Sequence, residues 1–123
     1  MKLLLILAPL FSFLVSADGC KKKPANAFKG RLEVKALCMN YTISVIEGDI
    51  DTSLVVASWT DESTNKTYKK AFALGSRCTF PADIKEGEEF YFVIDSSASQ
   101  QCAVCMAYYP TPEKKLPIKV VTQ

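Results

Sequence analysis

Between Phe28 and Cys38 the chain alternates. The even positions Phe28, Leu32, Val34, Ala36 and Cys38 are apolar, with Gly30 the one gap, while the odd positions Lys29, Arg31, Glu33 and Lys35 are charged. Only Leu37 breaks the rule. Successive side chains of a strand point to opposite faces, so a period of two predicts a half-buried strand with one face in water. Met39-Asn40 offers a tight turn, and Tyr41, Ile43 and Val45 begin a second alternating run that Glu47-Gly48-Asp49 closes. Leu54 to Trp59 (LVVASW) is β-branched and aromatic, which predicts a more buried strand. Asp61 to Lys66 (DESTNK) is polar and turn-like, and Tyr68 to Leu74 resumes an extended pattern, so these two runs are expected to form a hairpin. Pro81 to Gly87 reads as a loop. Phe90, Phe92 and Ile94 then alternate with Tyr91 and Val93. After a second loop, Ser96 to Gln101, come Ala103 to Tyr109 and Leu116 to Val121, separated and edged by Pro110, Pro112 and Pro117. Seven candidate strands, turn signals at short intervals and no helical stripe predict an all-β domain, either a barrel or a sandwich.

The first residues follow another pattern. Lys2 is followed by an uncharged run from Leu3 to Val15 (LLLILAPLFSFLV) and then by small residues. The run has the length of a signal-peptide core and falls short of the roughly 20 apolar residues of a membrane span. Residues 1–17 are therefore expected to be a signal peptide and residues 18–123 a single β domain. Cleavage after Ala17 places Val15 and Ala17 at the two positions that must be small; cleavage after Gly19 places Ala17 and Gly19 there. The A-x-A-like preference favours the first. Either leaves about 105 residues, the size of one domain with one core.

Charge adds little direction. Without Lys2 the chain carries 14 basic and 13 acidic residues, so no global field points to nucleic acid. No second long apolar run suggests a membrane span, and the C-terminus (KVVTQ) lacks the tail of a lipid-anchoring signal. The local cluster Lys21-Lys22-Lys23, with Lys29, Arg31 and Lys35, is a candidate surface for a sulfated glycan, set against a solvated basic arm.

Five cysteines, Cys20, Cys38, Cys78, Cys102 and Cys105, are disulfide candidates in an oxidising compartment. An odd number leaves one over, and the pairing stays open. Two sequons, Asn40-Tyr41-Thr42 and Asn65-Lys66-Thr67, are candidate glycosylation acceptors. Cys102-Ala103-Val104-Cys105 has the spacing of a redox pair, but such a pair needs a helix start to lower one thiol's pKa. On the expected strand, residues three apart face opposite sides at about 10 Å, too far for a bridge, so each cysteine is expected to pair elsewhere. The chain has no histidine. That removes a histidine base, and a single C-x-x-C without a second pair gives no zinc set. Glu88-Glu89 beside a turn reads as a solvated edge, no glycine-rich phosphate loop is present, and Trp59 reads as a core anchor.

The arrangement resembles the netrin-like module shared by tissue inhibitors of metalloproteinases and the tails of complement proteins. Four features carry the resemblance: Cys20 near the mature N-terminus, the alternating strand Phe28 to Cys38, a cysteine between strand and turn in Gly75-Ser76-Arg77-Cys78-Thr79-Phe80, and Glu86-Gly87-Glu88-Glu89-Phe90-Tyr91 leading into an apolar strand. The resemblance implies an oligosaccharide-binding-type β-barrel that acts by binding, with a Cys20–Cys78 disulfide. In the inhibitors an N-terminal cysteine opening a C-x-C motif blocks a protease's zinc; here Lys21-Lys22 follows Cys20, so the second cysteine is missing. An immunoglobulin-like sandwich is the rival fold, since Cys38, Trp59 and Cys78 stand in its cysteine–tryptophan–cysteine order, although closer together than that fold places them.

The expected function is a secreted, non-enzymatic binding module without a cofactor, recognising an extracellular protein or an anionic glycan. Two other readings are a metalloproteinase inhibitor acting through Cys20 and a thiol oxidoreductase using Cys102 and Cys105. N-terminal sequencing of the secreted protein is expected to find Asp18 first; Cys20 first would instead expose the amino group that the inhibitor reading requires.

Overall fold

The computed structural model of the chain describes residues 24–98, 102–103 and 105–121. Residues 1–17, expected to be a signal peptide, together with Cys20 and the Lys21–Lys23 cluster, lie outside the described residues. Among the described residues seven strands follow in order: β1 (Phe28–Lys35), β2 (Tyr41–Glu47), β3 (Val56–Asp61), β4 (Lys66–Leu74), β5 (Glu89–Ile94), β6 (Lys115–Leu116) and β7 (Ile118–Val121). They form one sheet whose path runs β3-β4-β2-β1-β5-β7 and is open at β3 and β7, while β6 pairs with β4 off this path. Every ladder is antiparallel except β4–β6, which is parallel.

The β1 alternation survives folding. Gly30, Leu32 and Val34 are buried and the charged odd positions are only partly so. The gap at Gly30 has a steric cause: a Cβ there would stand 3.0 Å from Phe92 Cε1 and 3.1 Å from Ile43 Cγ2. Glycine lets the Phe92 ring lie against the β1 backbone. Around that contact the core closes, with Leu32, Ile43, Phe72, Leu74, Phe92 and Ile118 fully or almost fully buried. Aromatic rings run through it as a chain of tilted and edge-on contacts from Tyr41 to Phe80, Phe90, Phe92 and Phe72, with centroids 5.5–6.1 Å apart. Such geometries suit the ring quadrupole better than a face-to-face stack. On the wet face Glu89 meets Lys29 at 3.5 Å and Arg31 at 2.9 Å. The Arg31 guanidinium holds the Glu89 carboxyl below its usual range, but exposed pairs of this kind contribute little stability.

The hairpin from β3 to β4 is formed, with Asp61 paired to Lys66 across the turn. Its course is bent. Lys70 adopts a left-handed backbone (φ 47°) just beyond the point where β4 leaves β2 at Ser44↔Ala71. For a residue with a Cβ this costs on the order of 1–2 kcal/mol. Beyond the kink, Thr67, Tyr68 and Lys69 share a cavity of about 390 Å³ with Arg31, Glu33, Ser44 and Ile46. The tip half of the hairpin therefore folds back over the outer face of β1 and β2. Burial is the main cause that pushes the Tyr68 phenol up, with Glu33 and Asp61 adding to it.

Four expectations are corrected. Among the described residues of Ala103–Tyr109 there is no strand; the segment is tied by disulfides and side chains rather than by a ladder. Leu116–Val121 is split by Pro117, which lacks the N–H that would continue a ladder. The run Leu54–Trp59 is not a buried strand: β3 starts at Val56 and lies at the sheet edge, mostly exposed. Trp59, on that edge, stands outside the core and stacks on Tyr68 at 6.1 Å.

Gly30→Val tests the close Phe92 contact. The added isopropyl group has no room, so a loss of about 1–3 kcal/mol is expected, seen in urea unfolding as a lower midpoint at unchanged slope.

Candidate functional site

The ends of β1 and β4 and the segment after β5 meet at one corner. β1 ends at Lys35, and a tight turn over Leu37–Met39 reverses the chain into β2, with Cys38 and Met39 both left-handed (φ 56° and 59°). Cys38 is bonded to Cys105, and Cys78, after β4, is bonded to Cys102. The C-x-x-C motif thus supplies one sulfur to each of two separate bridges. The cysteines pair elsewhere, as expected, but the reason is not a strand; each faces a different loop of the same corner. The Cys20–Cys78 bridge implied by the resemblance is replaced by Cys78–Cys102. The Cys38–Cys78 bridge of an immunoglobulin-like arrangement is likewise not formed, because Cys38 is committed to Cys105.

Asn40 is the polar centre of this corner. It is 7% exposed, and its Nδ2 donates to Leu37 O at 2.9 Å and to Ala107 O at 2.8 Å. Its Oδ1 accepts from Arg77 Nη2 at 3.2 Å. One amide therefore joins the β1–β2 turn, the segment after Cys105 and the loop after β4. Ser76, fully buried beside Arg77, donates from Oγ to Ile118 O at 2.7 Å and accepts from Ile118 N at 2.9 Å, which fixes the same loop to β7. Further along, Tyr109 Oη donates to Asp61 Oδ2 at 2.7 Å, and this bond is the main cause holding the phenol above its usual pKa. Asp61, 1% exposed, also caps the hairpin turn by accepting from Ser63 N. The segment from Cys105 to Tyr109 is thus fastened at Cys38, Asn40 and Asp61.

Its remaining side chains face water. Met106 is 95% exposed and Tyr108 84%, and Leu37 on the bridged turn is 55% exposed. Three large apolar side chains thus stand out from one braced corner. The sequence held a signal for one of them, since Leu37 was the sole break in the β1 alternation. Met106 and Tyr108 were hidden inside a run that reads as a strand, where every second residue is expected to be buried.

The two sequons part company. Both Nδ2 hydrogens of Asn40 are engaged in a buried site, so a glycan there would displace a bond that holds the corner. Asn65 is exposed at a left-handed position (φ 59°) of the β3–β4 turn, and its side chain is open to solvent. Among the described residues no group of three or more histidine, cysteine or acidic side chains could hold a metal, and no helix is long and apolar enough to cross a membrane. Comparison of the chain with protein-family models, with curated proteins and with solved structures gave no match.

Peptide mapping of the protein from a secretory host is expected to find glycan on Asn65 and none on Asn40. Asn65→Gln should remove the glycan mass, whereas Asn40→Gln should leave it and lower the thermal midpoint.

Proposed function

We propose that the chain is a secreted, non-enzymatic binding module that recognises an extracellular protein through the corner formed by Leu37, Met106 and Tyr108. One observation carries this reading: three large apolar side chains are exposed together on backbone braced by two disulfides and by the buried Asn40 amide. Methionine, aromatic residues and arginine are enriched where proteins meet, and Arg77 stands beside Asn40. A braced corner also loses little freedom on docking, so more of its apolar contact is expressed as affinity. The partner fitting such a knob is a folded protein with a concave apolar pocket.

The finer fold reading is an oligosaccharide-binding-type barrel of netrin-like kind. Its support is the circuit of pairings: β1 with β2, β2 with β4, β4 with β6, and then, one proline on, β7 with β5 and β5 with β1. The uncharged run Leu3–Val15 and the two intramolecular disulfides support passage through an oxidising compartment. The Lys21–Lys23 arm is the surface for the glycan alternative.

The test places a photo-crosslinking amino acid at Tyr109's exposed neighbour, Tyr108, and applies the folded protein to the surface of cells that secrete it. A cross-linked species is expected that excess unlabelled protein suppresses and that a Leu37→Ser, Met106→Ser, Tyr108→Ser triple variant does not. Equal suppression by the triple variant would remove the corner from the function. Retention on heparin at physiological salt, lost on replacing Lys21–Lys23 by serine, would move the function to the basic arm.

A further inference from the structure

We propose that a second cavity, between the β2–β3 connection and the kinked part of β4, binds an amphipathic monoanion, a carboxylate on a short aliphatic tail. It shares no residue with the disulfide corner, so it stands or falls independently of the protein-binding reading. The cavity measures about 390 Å³ and is lined by Ile50, Val55, Ala57, Lys69, Lys70 and Asp49 among others. Its volume lies within the roughly 300–1,000 Å³ of small-molecule sites. Ile50 and Val55 are 5% and 6% exposed and form an apolar wall, while Ala57 and the three charged residues are exposed at the mouth.

The charge at the mouth selects the ligand. The Lys69 and Lys70 side chains make no ion pair or hydrogen bond with any described residue, so both ammonium groups can meet an anion. Asp49 lines the same mouth, which leaves a net single positive charge and turns the anionic head toward the lysine side. A single charge over apolar walls suits a monoanion with a hydrocarbon tail better than a multiply charged phosphate. The backbone gives a separate reason to look here. Lys70 is left-handed, at a position that glycine would occupy without strain. Strain of this kind gathers at ligand clamps and active sites, and the inference runs from the observed outlier to function. The kink sets consecutive lysines of one strand on the same cavity, which the strict alternation of an unkinked strand does not allow.

Titration of the oxidised, ¹⁵N-labelled protein with decanoate, and in parallel with decanol, tests the site. Decanoate is expected to shift the amides of Ile50, Val55, Ala57, Lys69 and Lys70 saturably, and decanol to bind more weakly. Lys69→Gln and Lys70→Gln should each weaken decanoate by about two- to fivefold, the range of one solvent-exposed charge pair, without changing decanol. Lys70→Gly should weaken decanoate to the same degree while raising the thermal midpoint, which separates the loss of the ammonium from damage to the fold. No saturable shift along Ile50–Ala57 at millimolar decanoate would overturn the proposal. So would decanol binding as tightly as decanoate, or shifts confined to Leu37, Met106 and Tyr108.

Discussion

Two sulfur–sulfur bonds that start three residues apart hold the corner on which most of the polar architecture converges. The segment between Cys105 and Tyr109 has no ladder, so nothing in its own backbone fixes where it runs. Cys38–Cys105 brings it to the β1–β2 turn and Cys78–Cys102 brings its start to the loop after β4. Closing loops of these lengths stabilises the fold by about 3–4 kcal/mol per bridge on the chain-entropy account. Once the segment is there, Asn40 can reach Ala107 and Tyr109 can reach Asp61. These bonds are short and local in space but 67 and 48 positions apart in sequence. Without the bridges they would have to order the segment alone.

The apolar interior is organised differently. It depends on a missing side chain: Gly30 lets Phe92 approach β1, and the aromatic chain through Phe90 and Phe80 to Tyr41 follows from that approach. The corner and the core touch through β7, where Ile118 is buried among the core residues and bonded at both backbone polar groups to Ser76 Oγ. A buried hydroxyl that both donates and accepts leaves no unpaired group behind. This is how a loop carrying one of the bridges is seated on the apolar interior.

What could be read from residues alone followed the physics of alternation. The faces of β1, the start of β2, the β3–β4 hairpin and β5 all come from period-two burial and from polar turn residues, which are local properties. Where burial is decided by something distant, the pattern misleads. Ala103–Tyr109 contains β-prone residues, yet sulfur bonds to Cys38 and Cys78 determine its path. Trp59 is large and apolar, but β3 has a neighbour on only one side, so the ring finds Tyr68 and not the core. Asn40 sits in a sequon that looks like surface chemistry, and only the Ala107 carbonyl, brought in by a bridge, makes it interior. The kink at Lys70 has no local signal, since lysine is not a residue that favours a left-handed backbone.

The spacing of the C-x-x-C motif also bears on how the protein is made. In an unfolded chain, loop closure discriminates only weakly between lengths. Cys78 lies 24 positions from Cys102 but also 27 (105 less 78) from Cys105, so the two closures are nearly equally easy. The crossed isomer, with Cys38 on Cys102, is therefore a natural early product of oxidation. Nothing in chain statistics corrects it; only the packed corner, with Asn40 bonded to Ala107, tells the two sulfurs apart. Telling the two sulfurs apart is thus left to thiol–disulfide exchange after collapse, when the packed corner favours one pairing.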